Sequence, residues 1–159
     1  MVSNEEISVN KRNGRGKETL QIDKIHSMVG FATEGITGVS ASHVEMNSGI
    51  QFFDGVSTAD IQQILIKSAN DLISLENPNY QYVAARLLLF QLRKQLFHRL
   101  WDHPKFIDHI KSLIDKGLYD KDILVNYDES EIDRMGMWVD HERDYNFTYA
   151  GLRLSLIHI

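Results

Sequence analysis

"VNKRNGRGKETLQIDKIH" (Val9–His26) carries two kinds of periodicity back to back. Around Asn13-Gly14, Ile7 and Val9 on one side and Leu20 and Ile22 on the other alternate with polar residues. An Asn-Gly pair between alternating apolar residues predicts a β-hairpin. From Asp23, placed as an N-cap, the spacing changes. Ile25, Met28, Val29 and Ala32 recur at i, i+3, i+4 and i+7, one face of a helix, and Gly35 is its expected stop. Lys11, Arg12, Arg15 and Lys17 crowd the hairpin. The free N–H groups and dipole of a helix start beside such a cluster favour an anion, phosphate above all.

Outward from this stretch the pattern is helical. Ser40 or Ser42 can cap a second helix carrying Val44 and Met46, with Glu45 completing a capping box behind Ser42. It runs out near "FFDG" (Phe52–Gly55). Ser57, with Asp60 three residues on, caps a third helix whose face is Ile61, Ile64, Leu65 and Leu72. Pro78 breaks it, since the residue before a proline avoids the helical region. "YQYVAARLLLFQLRKQLFHRLW" (Tyr80–Trp101) predicts a long central helix. Tyr80, Val83, Leu87 and Phe90 share a face that Leu88, Leu89 and Leu92 widen, and Arg86, Arg93, Lys94 and Arg99 mark the charged side. After Pro104 a separate segment begins. "KFIDHIKSLIDKG" (Lys105–Gly117) sets Phe106, Ile110, Leu113 and Ile114 on one face and stops at Gly117. "YDESEIDRMGMWVDHERDYNFTYAG" (Tyr127–Gly151) predicts one further helix and an extended end.

A formal net charge of -5 argues against general nucleic-acid binding and leaves the basic hairpin as a local feature. No apolar run approaches the roughly 20 residues of a membrane span. The first residues lack the basic-then-apolar order of a signal peptide, so a cytoplasmic location is expected. There is no cysteine, which excludes disulfides, thiolate metal sites and thiol catalysis within these residues.

Several motifs have a plain structural reading. "GRGKET" (Gly14–Thr19) is no P-loop: the glycine required five residues before the Gly-Lys pair is Lys11, and "ETLQI" after the lysine reads as strand. Thr58 in "STAD" needs no role beyond a helix start. Arg93 and Lys94 read as a solvated charged face. His103, His109 and "DHERD" (Asp140–Asp144) fit no standard ligand spacing, so no metal site is expected.

Taken together, "KRNG" (Lys11–Gly14), "IDKIH" (Ile22–His26), "IQFFDGVSTADIQQILIKSA" (Ile50–Ala69), "PNYQYVAARLLLFQLRK" (Pro78–Lys94), "FIDHI", "GLYD" and "DHERDYNFTYAG" (Asp140–Gly151) resemble the ATP-cone at the N-terminus of the class Ia ribonucleotide reductase large subunit. The order and spacing hold through about Leu152. The resemblance implies an α+β, mostly α fold: a four-helix cone capped by a small β-hairpin or sheet over residues 8–98, then the start of the reductase helical domain over 99–153. It implies an allosteric switch that binds ATP or dATP with Mg2+, through Lys11, Arg12, Glu18, Thr19, Leu20, Gln21, Ile22, Asp23, Lys24, Thr58 and Lys94. The lysines and Arg12 would meet the triphosphate, and the stretch from Glu18 to Lys24 would supply backbone groups and a wall for the base. The implied partners are a second large subunit and the radical-carrying small subunit, with neither nucleic acid nor membrane. Gln62 stands where many members have histidine. The family's chemistry uses cysteines downstream of this segment, so the chain is not expected to reduce ribonucleotides or to hold a redox cofactor. Residues 154–159 match nothing in the family; they read as a foreign tail on a truncated chain, loose from about Arg153 onward.

Two other readings stand beside this one. A cone in a transcriptional regulator would bring zinc-binding cysteines or a compact basic helix, and neither is present. An inert fragment would bind no nucleotide.

Overall fold

The computed structural model describes residues 8–10, 16–49, 54–98 and 103–157. Three short strands form one sheet in the order β2-β1-β3: β1 (Ser8–Asn10), β2 (Lys17–Thr19) and β3 (Val56–Ser57). β1 and β2 are antiparallel, with Val9 opposite Glu18, as the hairpin requires. Ile7 and the Asn13-Gly14 turn lie outside the described residues. β3 joins β1 in parallel, Val9 against Val56, and both valines are buried. With only two residues, β3 is too short to show alternation in the sequence.

α1 (Ile22–Thr33) begins one residue before its expected cap. Gln21 is the N-cap and makes no side-chain capping bond, while Asp23 lies in the first turn. Ile22 is therefore helical rather than the last residue of a strand. Asp23 still complements the positive end of the helix dipole. Ile25, Val29 and Ala32 face the core, and Gly35, at φ 70°, supplies the left-handed residue after the helix end. α2 (Ala41–Gly49) starts directly after Ser40, so Ser42 sits inside it and the capping box expected behind Ser42 does not form.

α3 (Thr58–Asp71) is capped as the sequence predicts. Ser57 Oγ accepts from the Asp60 N–H at 3.0 Å and donates to its carboxylate at 2.7 Å. α4 (Tyr80–Phe97) is the buried axis, with Val83, Leu87 and Phe90 almost inaccessible to solvent. Gln62, inside α3, donates from Nε2 to the Leu87 carbonyl at 2.9 Å and ties α3 to α4. The result is a mostly helical fold with a small three-stranded sheet.

The chain divides into two compact units, residues 1–91 with 145–159, and residues 92–144. The first holds the sheet, α1 to α3, most of α4 and a further helix, α8 (Tyr149–Ile157), with Leu152 buried. This corrects two expectations. The end is not extended: His141–Asn146 form a 3-10 helix and α8 follows. Arg153 to Ile157 are not loose but continue α8, which Thr148 starts by accepting the Gly151 N–H on its hydroxyl at 3.2 Å.

The second unit packs α5 (Phe106–Asp115), α6 (Ile123–Asn126) and α7 (Glu129–Gly136) around Ile107, Ile110 and Ile132. α5 stops as expected at Gly117: its N–H meets the Ile114 carbonyl at 2.8 Å, and the Leu118 N–H meets Leu113 at 2.9 Å, two bonds that close orphan carbonyls. Asp128 and Glu131 cap α7 reciprocally. Arg93 is not solvated; it is 5% exposed and pairs with Asp144 at 3.1 Å, so an aliphatic stem and a neutralised head share one site. The His103 and His141 rings stack 3.6 Å apart, and among the described residues no group of three His, Cys, Asp or Glu is placed to hold a metal.

Candidate functional site

The path from β2 into α1 builds a cavity of about 270 Å³. After Thr19 the chain leaves the sheet at Leu20 and turns into the helix at Ile22, bringing both side chains to one wall. Ile25 and His26 follow one turn on, because i, i+3 and i+4 share a helix face. α2 closes the opposite side with Glu45, Ser48 and Gly49. Ile22 is 58% exposed, a large apolar side chain left open beside a largely apolar hollow. Such a hollow with a few convergent polar groups is the usual form of a small-ligand site.

The polar groups hold one another. His26 Nδ1 and Glu45 Oε1 are 2.7 Å apart, joining α1 to α2. Buried Ser48 donates its hydroxyl to the Glu45 carbonyl at 2.8 Å. Glu45, expected as a capping residue, instead braces the cavity wall. Of the lining residues, Leu20 and Ile22 are expected from the sequence. Ile25 and His26 carry a signal, their helical spacing from Ile22. The α2 residues carry none, because nothing local tells which face of α2 meets α1.

A second feature lies at one end of the sheet. Asn10 pairs with both Lys17 and Ser57, so the end of β1, the start of β2 and the end of β3 converge. Thr58 opens α3 directly after Ser57 and therefore stands at this end. Asn10 Nδ2 donates to the Gly55 carbonyl at 2.7 Å. At the other end of β1 the Ser8 hydroxyl and N–H both donate to Asp54 Oδ1, at 2.7 and 2.9 Å, and hold the Asp54 carboxyl below the usual carboxylate range. Gly55, at φ 81°, then turns the chain so that its N–H reaches the Ser8 carbonyl at 2.8 Å.

The residues from Glu18 to Lys24 thus form one continuous ribbon from the sheet to the cavity, with Gln21, Asp23 and Lys24 exposed. Thr58 is at the neighbouring strand end. Lys94 is exposed in the last turn of α4, in the second unit. Lys11 and Arg12 lie outside the described residues. Gln62 is 6% exposed and bonded into the core.

Comparison with known proteins identifies the family. The family described as the ATP cone domain matches residues 7–95, a span that contains the sheet and the cavity. The chain is 44% identical over 147 residues to the ribonucleoside-diphosphate reductase subunit alpha of Buchnera aphidicola subsp. Acyrthosiphon pisum, covering 92% of this chain and 19% of that protein. It is 43% identical over 150 residues to ribonucleoside-diphosphate reductase 1 subunit alpha of Escherichia coli K12, covering 94% and 19%. The subunit alpha of Enterobacteria phage T4 is 40% identical over 145 residues, covering 91% and 19%. The chain therefore spans about a fifth of the length of these curated relatives. With a family match across more than half of its residues, the chain belongs to the ATP-cone domain family, whose module binds a nucleotide effector.

Proposed function

We propose that this chain is the overall-activity switch of a ribonucleoside-diphosphate reductase, sensing ATP against dATP without transforming either. The observation that carries it is the apolar cavity at the start of α1, inside the span of the family match. The base packs against Leu20 and Ile22, with Gln21 and its neighbours from Glu18 to Lys24 offering backbone groups along its edge. The triphosphate, with Mg2+, lies toward the basic hairpin, where Lys11 and Arg12 follow Asn10 in sequence and Thr58 adds a hydroxyl. Charge-assisted bonds of this kind contribute roughly 1.5–3 kcal/mol each. Lys94 is assigned to the phosphates by the resemblance alone. Among the described residues no helix is long and apolar enough to cross a membrane, and a cytoplasmic setting belongs to the same proposal. In a full-length parent the readout is association with a second large subunit and the radical-carrying small subunit, and the reduction chemistry lies outside these 159 residues, which hold no cysteine.

Calorimetric titration with ATP and with dATP, in Mg2+, tests the proposal. Saturable binding of both nucleotides without formation of ADP or deoxynucleotide is the expected outcome. Absence of binding leaves an inert fragment, and hydrolysis would show that the module is more than a sensor.

A further inference from the structure

We propose that Arg86 is a positioning residue that carries nucleotide occupancy from α1 to the chain where it re-enters the first unit at Tyr145. This rests on the site proposed above. α1 has its two ends in different surroundings. Its first turns line the cavity through Ile22, Ile25 and His26. Its last turn contains no basic residue, so no cation of the helix itself complements the negative end of its dipole; only the Thr33 hydroxyl donates there, to the Val29 and Gly30 carbonyls. α4 supplies that cation. Arg86 Nη1 donates to the Glu34 carbonyl at 2.6 Å and to the Ala32 carbonyl at 3.5 Å. The same guanidinium lies 5.4 Å from the centre of the Tyr145 ring, which is half-buried.

Arginine suits this double task, because its planar head donates in its own plane and stacks on an aromatic ring with its face. The orientation of that face is set by the carbonyls it holds. Those carbonyls keep their places only while the last turn of α1 is formed. A helix of 12 residues, about 18 Å long at roughly 1.5 Å per residue, is marginal alone, and its turns form cooperatively. A ligand that pins the first turn therefore reduces fraying of the last one, steadies Arg86, and favours the docked position of Tyr145 over a detached one. The boundary between the two units falls between Asp144 and Tyr145, so Tyr145 is the first residue of the returning chain. It leads through Thr148 into α8.

Hydrogen–deuterium exchange of the full chain, with and without saturating ATP, tests this alongside calorimetry. In the wild type ATP should slow exchange in α1 and also at residues 145–152, the latter about fivefold or more, the lower end of typical allosteric coupling. Tyr145→Leu should keep the α1 effect and lose the effect at 145–152. Its ATP affinity should fall by no more than the factor lost there, because linkage is reciprocal. Tyr145→Phe, which retains the ring, should restore both, and Arg86→Lys, which retains charge without the planar face, should behave like Tyr145→Leu. Protection of α1 without protection of 145–152 would overturn the inference and leave the nucleotide site standing. Protection persisting in Tyr145→Leu would overturn it equally. No ATP effect anywhere would overturn both.

Discussion

Ile22 can be placed in two ways. Its alternation with Leu20 makes it the end of a strand, yet it is the first residue of α1 and more than half exposed at the cavity. The spacing 20, 22 is compatible with either assignment, and only the pairing limit of β2 at Thr19 decides. Because Ile22 contributes little to the core, Ile22→Asp should weaken ATP binding at least tenfold, about 1.4 kcal/mol. Its thermal midpoint should barely move. A calorimetric titration and a melting curve on the same variant check the two halves. Lys11→Ala combined with Lys94→Ala should also weaken ATP at least tenfold, about 1.4 kcal/mol, and unchanged affinity would remove both residues from the site. Arg93 is buried against its local pattern, because a charged residue at the end of an amphipathic helix is ordinarily solvated. Its partner Asp144 is 51 residues away in sequence, beyond the reach of any local signal. Gly136 is equally silent. A Cβ there would lie 2.5 Å from Phe106 Cβ, so α7 approaches α5 through the missing side chain. Gly136→Ala should destabilise the second unit by about 1–3 kcal/mol through overpacking, read from its denaturation midpoint.

At the scale of elements, caps are the most legible features. Ser57 and Asp60 predict the start of α3, and Gly35 and Gly117 predict where α1 and α5 end, because each signal acts within one turn. Ser57→Ala should lower stability by about 1 kcal/mol in urea unfolding. The second helix is less legible, since two serines compete for its cap and Glu45 is drawn to His26 by tertiary packing. β3 is invisible for a related reason: its pairing with β1 is set by Asp54 and Gly55, not by alternation. That anchor titrates. The folded carboxyl of Asp54 lies below its unfolded value of about 3.9, so its contribution is complete above that value and is lost as pH falls through the lower folded value. Asp54→Asn should therefore flatten the acid limb of the stability–pH curve below about pH 4 and leave its slope near neutrality unchanged. Lys111, raised mainly by its hydrogen bond from Nζ to Glu129, acts in the opposite range. Its contribution is complete below about 10.4 and fades as pH rises through the higher folded value.

For the whole molecule, the hairpin-to-helix entry is legible from Val9 to His26 alone, because two clean periodicities abut there, and the mostly helical class from the apolar spacing of the segments that follow. The ATP-cone resemblance is legible from ordered motifs, and the family match over residues 7–95 bears it out. The helical end is not legible. "NFTYAGLRLSLI" carries no acidic or basic pattern at its ends and only one buried residue, Leu152, so neither a face nor a cap stands out. The cavity is only half legible, since one wall comes from each of two helices. If a nucleotide occupies it, the folded state gains RT ln(1 + [L]/Kd), about 2.7 kcal/mol at a hundredfold excess over Kd, and the melting temperature should rise with ATP and with dATP.

The most direct measurement is a two-dimensional amide NMR spectrum of the labelled chain during titration with Mg-ATP. A nucleotide site at the start of α1 predicts that the largest shifts fall on residues 18–26, on 45–49 of α2 and on Thr58, and that the amides of α5 and α7 stay nearly still. Shifts confined to residues 106–136, or none at saturating nucleotide, would contradict it.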